Sequence, residues 1–140
     1  MSKIAVVFWS GTGNTESMAE AIAAGAKEKG AEVSLYAPAG FTPDMVSEFD
    51  AIAFGCPAMG SEVLEEDEFE PMFAAVETAL GGKRIALFGS YGWGDGQWMR
   101  DWEERCGKAG ATLAAESLTV NETPGDEQLD ECRALGAALA

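Results

Sequence analysis

A chain of 140 residues has room for one folded domain, and its 47% hydrophobic and 24% charged residues are typical of a globular protein. Nine lysines and arginines against 24 aspartates and glutamates give a net charge of −15, which disfavours nucleic-acid and membrane partners and favours a basic protein partner. Because histidine is absent and Cys56, Cys106 and Cys132 are widely spaced, the composition excludes His-activated nucleophiles and offers no metal-ligand pattern.

Short apolar runs alternate along the chain with longer segments of helical period, which predicts βαβ units and a parallel sheet. Strands are predicted at residues 4–8, 32–36, 51–54, 84–88 and 112–119. The second and fifth strands mix apolar and polar residues, as edge strands do. Helices are predicted at residues 15–29, 69–80, 97–108 and 126–139, with a weak helix start at Pro43. We expect one α/β domain over residues 1–140.

The start of the chain carries one lysine and a five-residue apolar run within its first eleven residues. That run is too short for the core of a signal peptide or for a membrane span. Free cysteines suit a reducing compartment. We therefore expect a soluble, cytoplasmic protein.

Three loops follow the first, third and fourth predicted strands, at residues 10–15, 56–62 and 90–96. Loops at the carboxyl ends of parallel strands gather at one edge of the sheet, where such folds bind ligands. The first loop opens a helix, so its N–H groups and the helix dipole favour an anion. It has neither the lysine of a nucleoside-triphosphate loop nor the third glycine of a dinucleotide fingerprint, whose place Glu16 takes. A phosphomonoester fits better, and an ordinary N-capped helix start is the alternative.

The other two loops each carry one large apolar residue among glycines, Met59 and Trp93. A flat ligand could lie between them. The alternatives are that Trp93 packs on the core beside Trp98 and that Met59 fills a gap. Trp9 and the segment 121–123 are further candidates for the wall of the site, and core packing is the alternative for Trp9.

These loops resemble those of the flavodoxins, specifically the short-chain type of anaerobic bacteria, and the resemblance covers the whole chain. The matching motifs are Ser10-Gly11-Thr12-Gly13-Asn14-Thr15, Ala58-Met59-Gly60-Ser61-Glu62 and Ser90-Tyr91-Gly92-Trp93-Gly94. The resemblance implies a flavodoxin-like, doubly wound, five-stranded parallel sheet in the order 2-1-3-4-5, with helices on both faces. It also implies non-covalently bound FMN.

The resemblance assigns a role to each loop. Ser10, Thr12, Asn14 and Thr15 would bind the phosphate, Met59 and Trp93 would pack on opposite faces of the isoalloxazine, and Glu62 would accept a hydrogen bond from the flavin N3–H. Main-chain groups of residues 90–92 would meet the pyrimidine edge. The Gly60–Ser61 peptide would turn over on one-electron reduction, which glycine permits at low cost. The implied cofactor-binding set is Ser10, Gly11, Thr12, Gly13, Asn14, Thr15, Pro57, Ala58, Met59, Gly60, Ser61, Glu62, Ser90, Tyr91, Gly92 and Trp93.

The implied function is that of a low-potential one-electron carrier, not an enzyme, which uses the semiquinone/hydroquinone couple of FMN between redox enzymes with basic docking surfaces. The acidic residue Glu62 and the run 65–70 would make the second electron costly to hold. Self-repulsion favours a monomer. The alternative is an FMN-dependent NAD(P)H:quinone reductase. A receiver-type signalling module is disfavoured because Phe8-Trp9 and Gly55-Cys56 occupy the places where its aspartates would stand.

Overall fold

The computed structural model describes residues 2–11, 13–59, 63–92 and 94–140. Its strands are β1 (Lys3–Phe8), β2 (Glu32–Tyr36), β3 (Ala51–Gly55), β4 (Arg84–Tyr91), β5 (Thr112–Leu113) and β6 (Leu118–Asn121). Its helices are α1 (Asn14–Glu28), α2 (Phe69–Val76), α3 (Gln97–Lys108) and α4 (Asp126–Leu139). Short 3₁₀ turns occupy Pro38–Gly40, Pro43–Glu48 and Glu77–Ala79. The predicted helix 69–80 therefore ends early, and its last turn tightens to 3₁₀ geometry, as helix ends often do.

The strands form one parallel sheet in the order β2-β1-β3-β4-β5, and β6 also pairs with β4. This confirms the predicted strand order. All five residues of β3 are buried, as expected for a central strand covered on both faces. One apolar layer packs under α1 and α4, and a second packs under α2 and α3. Helices therefore cover both faces of the sheet.

The prediction of one continuous fifth strand at residues 112–119 is wrong. Two short strands replace it, with Leu113 opposite Ile85 and Leu118 opposite Phe88 of β4. Four residues, 114–117, separate the two strands, whereas only two residues of β4 lie between the same points. The surplus residues cannot stay in register, so the chain leaves the sheet and returns.

No helix in the described part of the chain is long and apolar enough to cross a membrane. Among the same residues, no cluster of cysteine, aspartate and glutamate side chains could hold a metal ion.

Candidate flavin site

The carboxyl ends of β1, β3, β4 and β6 surround one cavity of about 240 Å³. Its lining residues are Trp9, Gly11, Asn14, Pro57, Ala58, Met59, Ser90, Tyr91, Gly92 and Glu122. The structure thus brings the three predicted loops together at one edge of the sheet. Of the other predicted cofactor-binding residues, Ser10, Gly13 and Thr15 are outside the cavity lining, and Thr12, Gly60, Ser61, Glu62 and Trp93 lie outside the described residues.

The start of α1 has the properties of an anion site. Gly13 precedes the helix with a φ of 94°, a left-handed conformation that glycine adopts without strain. The Ser10 hydroxyl accepts hydrogen bonds from the N–H groups of Gly13, at 3.1 Å, and Glu16, at 3.2 Å. The N–H groups of Asn14 and Thr15 have no acceptor among the described residues. They remain available to an anion, together with the proton of the Ser10 hydroxyl.

Thr15 and Ser90 join the first loop to the third. Their hydroxyl oxygens lie 3.1 Å apart, and the residues are only 1% and 4% exposed. This hydrogen bond cross-links the two loops. It uses one of the two hydroxyl protons, so the other hydroxyl proton and the N–H group of Thr15 are left for a ligand.

The outgoing stem of the second loop, residues 56–59, is fixed to the sheet. The N–H groups of Cys56 and Ala58 donate to the carbonyls of Phe88 and Ser90, both at 3.1 Å. The indole N–H of Trp98 donates to the Cys56 carbonyl at 3.1 Å. Trp98 is 2% exposed, so its predicted place in the core is confirmed, and it also supports the floor of the loop.

The return stem of the same loop, residues 63–65, is held by hydrogen bonds to the outgoing stem. Met59 and Val63 exchange two backbone hydrogen bonds, of 2.9 and 3.1 Å. The Glu65 N–H donates to the Cys56 sulfur at 3.3 Å. Burial raises the pKa of the Cys56 thiol to about 12, so it stays protonated, and its S–H points to the Pro57 carbonyl at 3.5 Å.

The acidic run 65–70 divides into three kinds of carboxylate. Glu65 is 6% exposed, and its carboxylate accepts three backbone hydrogen bonds. Glu70 and Glu77 each hold the Arg105 guanidinium through two hydrogen bonds of 2.7 to 2.9 Å. These hydrogen bonds, with Glu77 contributing most, raise the pKa of Arg105. Residues 66–68 are exposed, so three of the five carboxylates in this run form a solvated acidic surface.

Trp9 and Glu122 complete the wall of the cavity. Trp9 packs partly on the core and lines the cavity as well, and a methyl group added at Gly11 would lie 2.9 Å from its ring. Glu122 has a φ of 60° and is the one non-glycine residue with positive φ in the described part of the chain. Its N–H donates to the Tyr91 carbonyl at 2.7 Å. Strained backbone of this kind is concentrated at functional sites.

A larger groove of about 660 Å³ lies elsewhere and is lined by residues of α3 and of the 3₁₀ turn Glu77–Ala79. Glu77, Asp101, Glu104, Arg105 and Lys108 are among its lining residues. It contains none of the predicted site residues, and ion pairs already neutralise part of its charge. The smaller cavity at the strand ends is therefore the candidate site.

Comparison with known proteins decides the family. The family model described as flavodoxin matches residues 6–136. The chain belongs to the flavodoxin family. Among curated flavodoxins, that of Clostridium beijerinckii is 47% identical over 135 residues, which is 96% of this chain and 97% of the relative. The flavodoxin of Megasphaera elsdenii is 46% identical over 137 residues, with 98% of both chains covered.

Solved flavodoxin structures share the fold over the same length. The solution structure of two-electron reduced Megasphaera elsdenii flavodoxin has a TM-score of 0.89 at 46% identity, covering 97% of each chain. A flavodoxin from the domain Archaea has a TM-score of 0.88 at 31% identity, covering 99% of this chain and 96% of that one. As a flavodoxin, the protein is an FMN-binding electron carrier and not an enzyme, and the reductase alternative is not favoured.

Proposed function

We propose that residues 1–140 form one domain that holds FMN in the cavity between the three loops. The residues of this proposed site are Ser10, Gly11, Thr12, Gly13, Asn14, Thr15, Pro57, Ala58, Met59, Gly60, Ser61, Glu62, Ser90, Tyr91, Gly92 and Trp93. The observation that carries the proposal is a pair of N–H groups, at Asn14 and Thr15, that have no acceptor among the described residues. They lie beside a cavity with an apolar wall at Ala58 and Met59. A phosphate and a flat ring need this combination.

Bound FMN supplies the electron chemistry, and the protein positions it and sets its potentials. The start of α1 and the Ser10 hydroxyl hold the phosphate. The walls at Trp9, Met59 and Tyr91 exclude water from the ring. Because the described loop residues around the cavity include no lysine or arginine, negative charge added to the ring by the second electron would be poorly compensated, which favours a low potential for that electron.

Electrons are delivered, in this proposal, to proteins whose docking surfaces are basic. The exposed carboxylates of Glu66, Asp67 and Glu68 follow the second loop, and Glu122 lies in the cavity wall. The net charge of −15 strengthens attraction to a basic partner over long distances and opposes self-association, so the carrier works as a monomer in the cytoplasm.

The salt dependence of electron transfer tests the docking surface. We expect the bimolecular rate of electron transfer to a small basic c-type cytochrome to fall several-fold between roughly 0.02 and 0.2 M salt, because salt screens the attraction. A triple variant, Glu66→Gln, Asp67→Asn and Glu68→Gln, should react more slowly at low salt and lose much of this dependence. Stopped-flow absorbance measures both rates.

The control variant removes three carboxylates from the opposite edge of the sheet. Glu28, Glu32 and Glu48 are exposed and lie near the amino ends of the strands. Their combined change to glutamine alters the net charge by the same amount. If both triple variants lose salt dependence equally, the overall charge guides association and the proposed docking surface is wrong.

A further inference from the structure

The two stems of the second loop are anchored differently. The outgoing stem is tied to β4 by the N–H groups of Cys56 and Ala58. The return stem makes no such hydrogen bond to the sheet among the described residues. Its anchors are the Met59–Val63 bridge and the hydrogen bonds of Glu65.

Glu65 links the return stem to α2 through its carboxylate. One carboxylate oxygen accepts the N–H groups of Glu68, at 2.7 Å, and Phe69, at 2.8 Å, and the other accepts that of Asp67 at 2.8 Å. The Glu65 carbonyl also accepts the N–H of Glu70 at 2.8 Å. The residue therefore occupies the otherwise unpaired donors at the start of α2, where negative charge is also favoured by the helix dipole.

The charge of Glu65 is what makes these hydrogen bonds strong. Burial alone would raise the pKa of this carboxyl, but the three N–H donors outweigh that effect and lower the pKa below its ordinary value of 4.5. Because the folded-state pKa lies below the unfolded one, the stabilisation is present above that ordinary value and is lost as the pH falls through the lowered pKa. The facing charged groups are Glu70, which is paired with Arg105, and the exposed residues 66–68.

We propose that Glu65 is a positioning residue for the flavin: by fixing the return stem to α2 and to Cys56, it holds the loop wall at Met59 in place and so sets FMN affinity and the one-electron potentials. The inference rests on the proposed flavin site. Met59 is bonded to the return stem at Val63, so a stem released at Glu65 transmits its motion directly to the cavity wall. Glu65 acts through the loop and needs no contact with the cofactor.

The test compares Glu65→Gln with Glu66→Gln. Glutamine has the shape of glutamate, but it loses the charge and places an amide NH₂ against one of the N–H donors. Glu66 is the adjacent residue, is exposed, and makes no side-chain hydrogen bond to the described residues, so its change removes the same charge while the described hydrogen bonds of the stem stay in place. The full chain is measured in three ways: amide hydrogen exchange of Asp67, Glu68 and Phe69 without FMN, the FMN dissociation constant, and the two one-electron potentials.

For Glu65→Gln we expect faster exchange at the three amides, a dissociation constant raised about tenfold, and a changed separation of the two potentials, since charged hydrogen bonds are lost. Glu66→Gln should leave exchange and affinity unchanged and, because it removes one nearby negative charge, raise mainly the second potential, so that the separation changes less than in Glu65→Gln. Equal effects of the two variants on affinity and separation would overturn the proposal, because charge alone would explain them. Faster exchange with unchanged affinity and potentials would also overturn it, because Glu65 would then be only structural.

A second variant covers the case in which Glu65→Gln fails to fold. Cys56→Ala removes the sulfur that accepts the Glu65 N–H and keeps the carboxylate. It should change affinity and potential separation in the same direction and by less. Unchanged values in this variant would contradict the proposal. If the wild-type protein itself does not bind FMN, the proposed flavin site fails, which is distinct from a failure of the Glu65 variants alone.

Discussion

Gly136→Ala is expected to lower the free energy of unfolding by about 3 kcal/mol or more. Gly136 lies in α4 against the backbone of α1, and a methyl group there would overlap the backbone carbonyl of Ile22. The contact is reciprocal, because a methyl group at Gly25 of α1 would overlap the backbone carbonyl of Arg133. Backbone atoms cannot swing aside as a flexible side chain can, so the two helices must separate and lose packing along their length.

Gly107→Ala is the matched control for this prediction. Gly107 is an exposed residue of α3, and a methyl group there meets no atom within 4 Å. Alanine is the better helix former, so this change should stabilise the protein by about 0.5–1 kcal/mol. Urea unfolding followed by circular dichroism measures both variants. Stabilisation in both would show that α1 and α4 have room between them and that the described packing is wrong.

Trp93→Ala is expected to weaken FMN binding by about 1–3 kcal/mol, which is roughly five- to 150-fold in the dissociation constant. The expectation comes from the sequence, where Trp93 stands among glycines in a loop whose neighbours, Tyr91 and Gly92, line the cavity. A residue that stacks on the flavin contributes to binding and little to the fold of the apoprotein. Quenching of FMN fluorescence on titration with apoprotein gives the dissociation constant.

Two comparisons separate stacking from core packing at Trp93. Trp93→Phe keeps an aromatic face and should lose less affinity than Trp93→Ala. The melting temperature of the apoprotein should be nearly the same in all three proteins. If Trp93→Ala instead lowers the apoprotein melting temperature and leaves FMN affinity unchanged, Trp93 packs beside Trp98 and is not a flavin contact.

Much of the architecture was predictable because local sequence determines it. Helices α3 and α4 begin and end where the apolar period predicts, at residues 97–108 and 126–139. The predicted fifth strand was wrong because its interruption has a non-local cause. Residues 114–117 have the composition of an edge strand. Only the pairing with β4 shows that four residues here stand opposite two residues of the neighbouring strand.

The loops of the site were predictable by position, since glycine-rich segments after parallel strands converge at one edge. The roles of individual carboxylates were not. Glu65 and Glu66 are chemically identical neighbours, yet one is buried against the start of α2 and the other is exposed. An acidic residue four positions before the first helical residue, Phe69, was the available signal. The positive φ of Glu122 was not predictable from the sequence, because glutamate has no local preference for that conformation.

Stepwise anaerobic reduction of the FMN-loaded protein distinguishes a one-electron carrier from a flavin enzyme. We expect the purified protein to bind FMN tightly, and we expect absorption spectra to show a one-electron reduced flavin that accumulates before the second electron is taken up at lower potential. The loaded protein should barely oxidise NADH or NADPH. Passage to the two-electron form without such accumulation, together with rapid oxidation of a nicotinamide, would contradict the assignment of this chain as a one-electron carrier.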